Sequence, residues 1–198
     1  KLNIQKWIIA NLKINMLPEK HIVDRYFETL KLFDIQNDGL GLDFFIPRQD
    51  EIQPDQLPEP FREGYIAFVI GAKHATKMLP PEKIASICKQ TGLPVILLGG
   101  PEDAENGAKV IELAKEKEIL NACGQYRLGQ SASIIRYSRV VITHDTGLMH
   151  IAAAFKKHIL SIWGNTIPGF GMYPYLPGKK SVVFEVPNLR CRPCSKIG

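Results

Sequence analysis

Six short apolar or β-branched runs recur from Tyr65 onward, and they restrict the fold more than any other feature. They are YIAFVI (65–70), PVILLG (94–99), ILNAC (119–123), RVVIT (139–143), HILSIW (158–163) and SVVFEV (181–186). Each has the length of a strand and reads as continuously apolar rather than alternating. Helix-like segments separate the first five: PPEKIASICKQ, PEDAENGAKVIELAKEKE, GQSASIIRYS and GLMHIAAAF. Strands apolar on both faces that alternate with helices predict a parallel sheet covered on both sides. Pro81 fits the first turn of its helix and Gly92 fits the stop. The expected fold class is therefore α/β, a doubly wound, Rossmann-like parallel sheet. Such sheets bind ligands at the carboxyl ends of their strands.

The first third of the chain is less regular. HIVDRYFETLKLFDI (21–35) carries Ile22, Tyr26, Leu30 and Leu32–Phe33 as the stripe of an amphipathic helix, and LDFFIP (42–47) reads as a short strand. RQDEIQPDQLPEP (48–60) is polar, with three prolines, and reads as a linker or domain boundary. At 198 residues and 45% hydrophobic, the chain can bury one core, or one core and part of another. No run approaches the ~18 apolar residues of a membrane span, and no amino-terminal stretch reads as a signal peptide. Lys1 in place of Met, and a loop-like CRPCSKIG at the other end, read as a piece of a longer chain.

The formal net charge of +5 is concentrated at the ends, +3 over residues 1–20 and +4 over residues 179–198. A solvated surface explains this; a basic arm facing phosphorylated lipid or acidic sugar is the functional alternative. Cys88 and Cys123 sit in apolar runs as ordinary buried thiols. Cys191 and Cys194 have C-x-x-C spacing, but a zinc site needs a second pair, so they read as a reduced structural pair without metal.

Polar residues collect at the expected strand ends. GAKHATK (71–77) offers Lys73, His74, Thr76 and Lys77 to an anion. GGPED (99–103) follows the second strand, where Glu102 can accept hydrogen bonds from a ribose diol. In HDTG (144–147) a helix begins near Thr146 or Gly147, so free N–H groups and the positive helix end face the crevice, a ready phosphate site. His150 falls in the first helical turn. Each residue also has a plainer reading: Asp145 or Thr146 as a helix N-cap, Glu102 and Asp103 as favourable first-turn charges, Lys77 as a surface charge. Three polar clusters on one rim suit a pyrophosphate with a sugar on either side. A dehydrogenase is not supported, because no G-x-G-x-x-G follows any strand; a Walker lysine motif and a nucleophile-elbow serine are also missing. Nucleic-acid binding is disfavoured, since aromatic and basic residues are not interleaved.

The stretch THDTGLMHIAAAFKKHILSIWGNTIPG (143–169) resembles the signature of the family-nine glycosyltransferases, the lipopolysaccharide heptosyltransferases. In that family D-[ST]-G-x-x-H-x-A-A-A precedes a strand and a G-x-T-x-P loop. Asp145, Thr146, Gly147, His150, Gly164, Thr166 and Pro168 match. The resemblance runs over residues 64–171, with GAKHATKMLP similar to the family's phosphate loop and GGPED to its ribose-binding turn. It departs at Ala72 and Lys73, where small hydroxyl residues are common, and at Met78–Leu79, which replace a basic–Trp pair. Both departures bear on which sugar is bound.

The resemblance implies the donor-binding half of a GT-B glycosyltransferase. Residues 1–63 would be the tail of an amino-terminal acceptor domain plus linker, and 64–198 the nucleotide-sugar domain. The donor would be an ADP-sugar, ADP-heptose in the first instance, and the acceptor the lipopolysaccharide core. No cofactor is obligatory. The expected location is cytoplasmic, with peripheral contact to the inner membrane. Lys77 and the backbone at Ala72–Lys73 would hold the diphosphate with Thr76 and the amides of Thr146 and Gly147. Glu102 would take the ribose, Tyr126 to Leu128 would line the adenine pocket, and Asp145 and His150 would meet the transferred sugar and its phosphate. The family inverts configuration, with a carboxylate near the start of its amino-terminal domain as general base, so this chain alone is expected to lack one. Another nucleotide sugar, or a binding module without catalysis, are the alternative readings.

Overall fold

The computed structural model describes residues 2–115, 117–187 and 189–195. Its helices are α1 (Asn3–Leu12), α2 (Ile22–Glu28), α3 (Pro81–Gln90), α4 (Ala104–Ala114), α5 (Leu128–Tyr137) and α6 (Gly147–Ala154). The strands are β1 (Ile66–Val69), β2 (Val95–Leu98), β3 (Ile119–Asn121), β4 (Val140–His144), β5 (Ile159–Trp163) and β6 (Val182–Glu185). They form one parallel sheet in the order β3-β2-β1-β4-β5-β6. The expected Rossmann-like class is observed, with strand order reversing between β1 and β4. That reversal is where open α/β sheets hold ligands.

Alternation along each strand builds two cores. Ile66, Phe68, Val95 and Leu97 face Ile84, Ala85 and Cys88 of α3 and Val110 and Ala114 of α4. Ala67, Val69, Ile96 and Leu98 face Ile134 and Ile135 of α5 and Met149, Ala152 and Ala153 of α6. Phe68 and Leu97 are fully buried, each worth about 1.5–3 kcal/mol of transfer free energy. The two thiols expected in the core are there: burial pushes Cys88 up to about 11 and Cys123 up to about 12.

Three expectations change. The strand in SVVFEV is present, but all four of its residues are exposed. It pairs only with β5 at the sheet edge, so neither face is covered as in the central strands. The helix expected over 21–35 ends at Glu28, because the Thr29 hydroxyl and N–H both bond the Tyr26 carbonyl. A 3-10 turn at Lys31–Phe33 follows, leaving Leu32 and Phe33 exposed. LDFFIP forms no strand: Phe45 faces solvent, and half-buried Phe44 packs T-shaped against Phe155.

The segment read as a linker or domain boundary is folded. It folds as three 3-10 turns, Arg48–Asp50, Pro54–Gln56 and Glu59–Phe61, and buries Leu57 and Phe61 in the α5–α6 core. Ser133 of α5 pins it through hydrogen bonds from Ile52 N–H (2.9 Å) and to Ile52 carbonyl (3.1 Å).

The amino-terminal helices pack on the loop after β5. Ile22 N–H donates to Gly171 carbonyl (2.8 Å), Arg25 donates to Phe170 carbonyl (3.0 Å), and His21 Nε2 lies 2.8 Å from Tyr173 carbonyl. Among the described residues no helix is long and apolar enough to cross a membrane.

Candidate functional site

A cavity of about 560 Å³ opens at the carboxyl ends of β1, β2 and β4. The loop after β1 supplies Gly71, Ala72 and Lys73, the loop after β2 supplies Gly99, Gly100 and Glu102, and the start of α6 supplies Thr146 and Gly147. Val69, Leu128, Leu148 and Ile151 add apolar wall. Ligand cavities of this size with few convergent polar groups are the usual form of a small-molecule site.

The start of α6 is built to receive something. Thr146 occupies the N-cap with extended backbone, but its side chain makes no capping bond. Its Oγ1 is buried without a partner. Asp145, the other candidate cap, is turned away onto Lys77 and Thr166. The first-turn amides are therefore uncapped by side chains, and a helix N-terminus in that state attracts anions. Among the described residues, and apart from its chain neighbours and its own helix backbone, nothing lies within 4 Å of where a Cβ on Gly147 would stand.

Asp103 joins the first two loops, a role sequence reading missed by treating it as a first-turn charge. Its Oδ2 accepts from Gly100 N–H at 2.8 Å. A Cβ on Gly71 would stand 1.9 Å from that oxygen, and one on Gly99 2.6 Å. Two glycines are thus required for the backbone to close around one buried carboxylate. Burial pushes the Asp103 carboxyl up, against the Gly100 hydrogen bond.

A second polar group lies beside the cavity. Lys77 Nζ is 2.7 Å from Asp145 Oδ2, with both side chains mostly buried. Thr166 Oγ1 donates to the same oxygen at 2.8 Å. The loop carrying Thr166 is fixed from both sides. Asn165 N–H donates to Thr76 carbonyl (3.3 Å), and Arg192 donates two N–H groups to Thr166 carbonyl (3.2 and 2.7 Å). His150 lies in this region: burial lowers its pKa, the Asp145 charge opposes that, and the His21 charge adds to it.

Of the residues singled out in the sequence, Ala72, Lys73, Glu102, Leu128, Thr146 and Gly147 share the cavity wall. Lys77, Asp145 and His150 form the adjacent group. Thr76 is exposed at the junction and contributes its carbonyl. Tyr126 packs half-buried against the α5–α6 core, so only Leu128 of the expected adenine contacts stands on the wall. Among the described residues no group of three His, Cys, Asp or Glu side chains is placed to hold a metal.

His144, also unassigned from sequence, supports the floor. It is fully buried at the end of β4, and its Nε2 accepts from Leu79 N–H at 3.0 Å, which holds the end of the β1 loop. Burial pushes its imidazole down to about 4, from 6.5. The unfolded chain takes a proton near 6.5 and the folded chain resists until about 4. Stability is therefore highest above 6.5 and falls as pH drops toward 4, by on the order of 3 kcal/mol from this group. Urea unfolding at pH 7 and pH 4.5 checks this. The variant His144→Gln, whose amide oxygen can still accept from Leu79, should lose less stability on acidification than the parent. An identical loss would remove His144 as the cause.

Comparison with known proteins fits this architecture. The lipopolysaccharide heptosyltransferase 2 of Escherichia coli K12 is 30% identical over 112 residues, covering 53% of this chain and 32% of that protein. A solved family 9 glycosyltransferase from Veillonella parvula superposes with a TM-score of 0.72 at 25% identity, over 84% of this chain and 50% of that one. The structure of E. coli ADP-heptose lps heptosyltransferase II gives 0.70 at 23% identity, over 85% and 55%, a likeness of fold. The chain thus corresponds to about half the length of these structures. The profile of glycosyltransferase family 9 (heptosyltransferase) matches residues 5–198, and with the sheet order and the D-T-G-x-x-H turn in place, the chain belongs to that family.

Proposed function

We propose that this chain is the donor-binding part of an inverting heptosyltransferase, holding an ADP-activated heptose for transfer to the lipopolysaccharide inner core. The observation that carries the reading is the cavity at the strand-order reversal, with Glu102 on one wall and the uncapped start of α6 on another. The E. coli neighbour of similar fold is named for ADP-heptose, and the names of the relatives give lipopolysaccharide as the acceptor class.

In this reading the ribose hydroxyls bond Glu102, and the diphosphate lies between the Ala72–Lys73 backbone and the amides of Thr146 and Gly147. The heptose extends toward Asp145 and His150. An acceptor hydroxyl, deprotonated by a base on the opposite domain, attacks the anomeric carbon and inverts it as ADP departs. The negative charge gathering on the leaving diphosphate is met by Lys77 and by the positive end of α6. Residues 64–198 form the nucleotide-sugar domain and residues 1–63 the end of the acceptor domain with its connection. The basic chain ends suit a protein working at the cytoplasmic face of an anionic membrane.

Calorimetry against ADP, UDP and GDP tests the donor assignment. ADP is expected to bind at least about tenfold tighter than the others, a difference of ~1.4 kcal/mol. Equal affinity for all three would contradict the adenine assignment.

A further inference from the structure

Cys191 and Cys194 are both exposed and both free, at the C-x-x-C spacing of thiol–disulfide exchange motifs. Cys88 and Cys123 are buried, so these two are the thiols open to solvent. What lies between them faces inward. The Arg192 side chain is 6% exposed, and each of its three guanidinium nitrogens is engaged. Nε and Nη2 donate to Thr166 carbonyl, while Nη1 donates to Glu185 Oε2 at 2.7 Å and Val186 carbonyl at 3.2 Å. Pro193 is buried, and Cys194 N–H donates to Asn165 Oδ1 at 3.0 Å. Lys13, at the end of α1, donates to the carbonyls of Cys191 (3.3 Å) and Pro193 (2.9 Å). The segment between the cysteines is thus a clasp on residues 165 and 166.

That clasp closes on the loop that serves the candidate site. Arg192 holds Thr166, Thr166 donates to Asp145, and Asp145 pairs with Lys77. The same loop leans on the Lys77 segment so closely that a Cβ on Gly164 would stand 2.8 Å from Thr76 carbonyl oxygen. A disulfide needs its sulfurs ~2 Å apart at a fixed dihedral angle, and in the clasp the two thiols are unbonded. Closing the ring has to turn the backbone of residues 191–194. That backbone carries both the Arg192 side chain and the Cys194 N–H away from the arrangement that makes these bonds.

We propose that Cys191 and Cys194 are a thiol-oxidation site, whose closure to a disulfide releases the Asn165–Thr166 loop and weakens the donor cavity. The oxidant is of the small-disulfide class. One cysteine, as thiolate, attacks the S–S bond of the small disulfide and forms a mixed disulfide; its proton goes to the departing thiolate. The second cysteine then attacks the protein-bound sulfur and expels the other thiolate, which takes that cysteine's proton. Two protein thiols are oxidised to one disulfide, and the small disulfide is reduced to two thiols. The effect on the donor rests on the transferase reading above; the clasp and its loop do not. By linkage, a bound donor makes the pair harder to oxidise by the factor by which oxidation weakens the donor.

The test treats the full chain with glutathione disulfide or with reduced glutathione, a metal chelator present, and reads the linkage by peptide mass spectrometry. A disulfide joining Cys191 to Cys194 within one chain is expected. The oxidised chain should bind ADP at least about fivefold more weakly than the reduced one, and dithiothreitol should restore the affinity. Saturating ADP should raise, by the same factor, the ratio of oxidant to reductant needed for closure. The double variant Cys191→Ser with Cys194→Ser should bind ADP equally after either treatment; if it fails to fold, the alanine pair replaces it. Stable glutathione adducts, cross-linked chains or unreacted thiols would overturn the proposal, as would an oxidised chain that binds ADP as well as the reduced one. If ADP binds neither form, the donor reading fails instead. The Thr166 and Lys77 amide resonances then judge the clasp: a shift on oxidation supports it, and unmoved signals overturn it.

Discussion

The 198-residue chain is expected to bind ADP-heptose yet transfer heptose at least ~10²–10⁴-fold more slowly than the same chain joined to an acceptor-binding half. In the proposed reading the cavity orients a sugar and stabilises a leaving diphosphate, but neither act removes a proton from the acceptor. The carboxylate beside the expected anomeric carbon is occupied: Asp145 Oδ2 accepts from both Lys77 and Thr166. Glu102 lies across the cavity, beside Gly100. An acceptor held by only one wall also loses the orientation that makes the reaction effectively unimolecular. Transfer to a heptose-deficient core acceptor, measured with and without the amino-terminal half of a family relative fused in frame, checks this. Comparable turnover by the chain alone would mean that a base lies among its own residues.

Lys77→Ala should weaken ADP by about 10- to 150-fold and leave adenosine nearly unaffected. A charge-assisted contact to phosphate in a mostly buried place is worth ~1.5–3 kcal/mol. Lys77 spends one of its three donors on Asp145, which leaves two for a diphosphate. The substitution also strands a mostly buried carboxylate with only the Thr166 hydroxyl, so the variant should be less stable as well. Adenosine separates the two effects, because a misfolded site would lose both ligands together. Parallel loss of ADP and adenosine would make Lys77 a structural residue alone.

The fold was legible because the apolar runs of β1 and β2 pack against helices on both faces, and Ile66–Val69 and Val95–Leu98 are buried throughout. Where packing did not follow, the pattern misled. Val182–Phe184 is apolar and pairs as a strand, but its side chains stay exposed. Leu32 and Phe33 continue a helical stripe but lie exposed, and local Thr29 bonding ends the helix first.

The candidate site shows the same division. The three polar loops were visible because each follows a strand in sequence. Their internal bonds were not, because they join residues far apart in the chain. Lys77 meets Asp145 across 68 positions, and Leu79 meets His144 across 65. Only the pairing of β1 with β4 brings those loops together. Thr166 was already marked by its G-x-T-x-P loop, whereas Asp103 and His144 carried no signal beyond lying next to Glu102 and Asp145.

The most direct measurement is a crystal structure of the chain with ADP. The diphosphate is expected against the amides of Thr146 and Gly147, with Lys77 within hydrogen-bond reach and the ribose hydroxyls on Glu102. ADP found elsewhere, or bound with its ribose away from Glu102 and its phosphates away from the start of α6, would contradict the assignment of this cavity as the donor site.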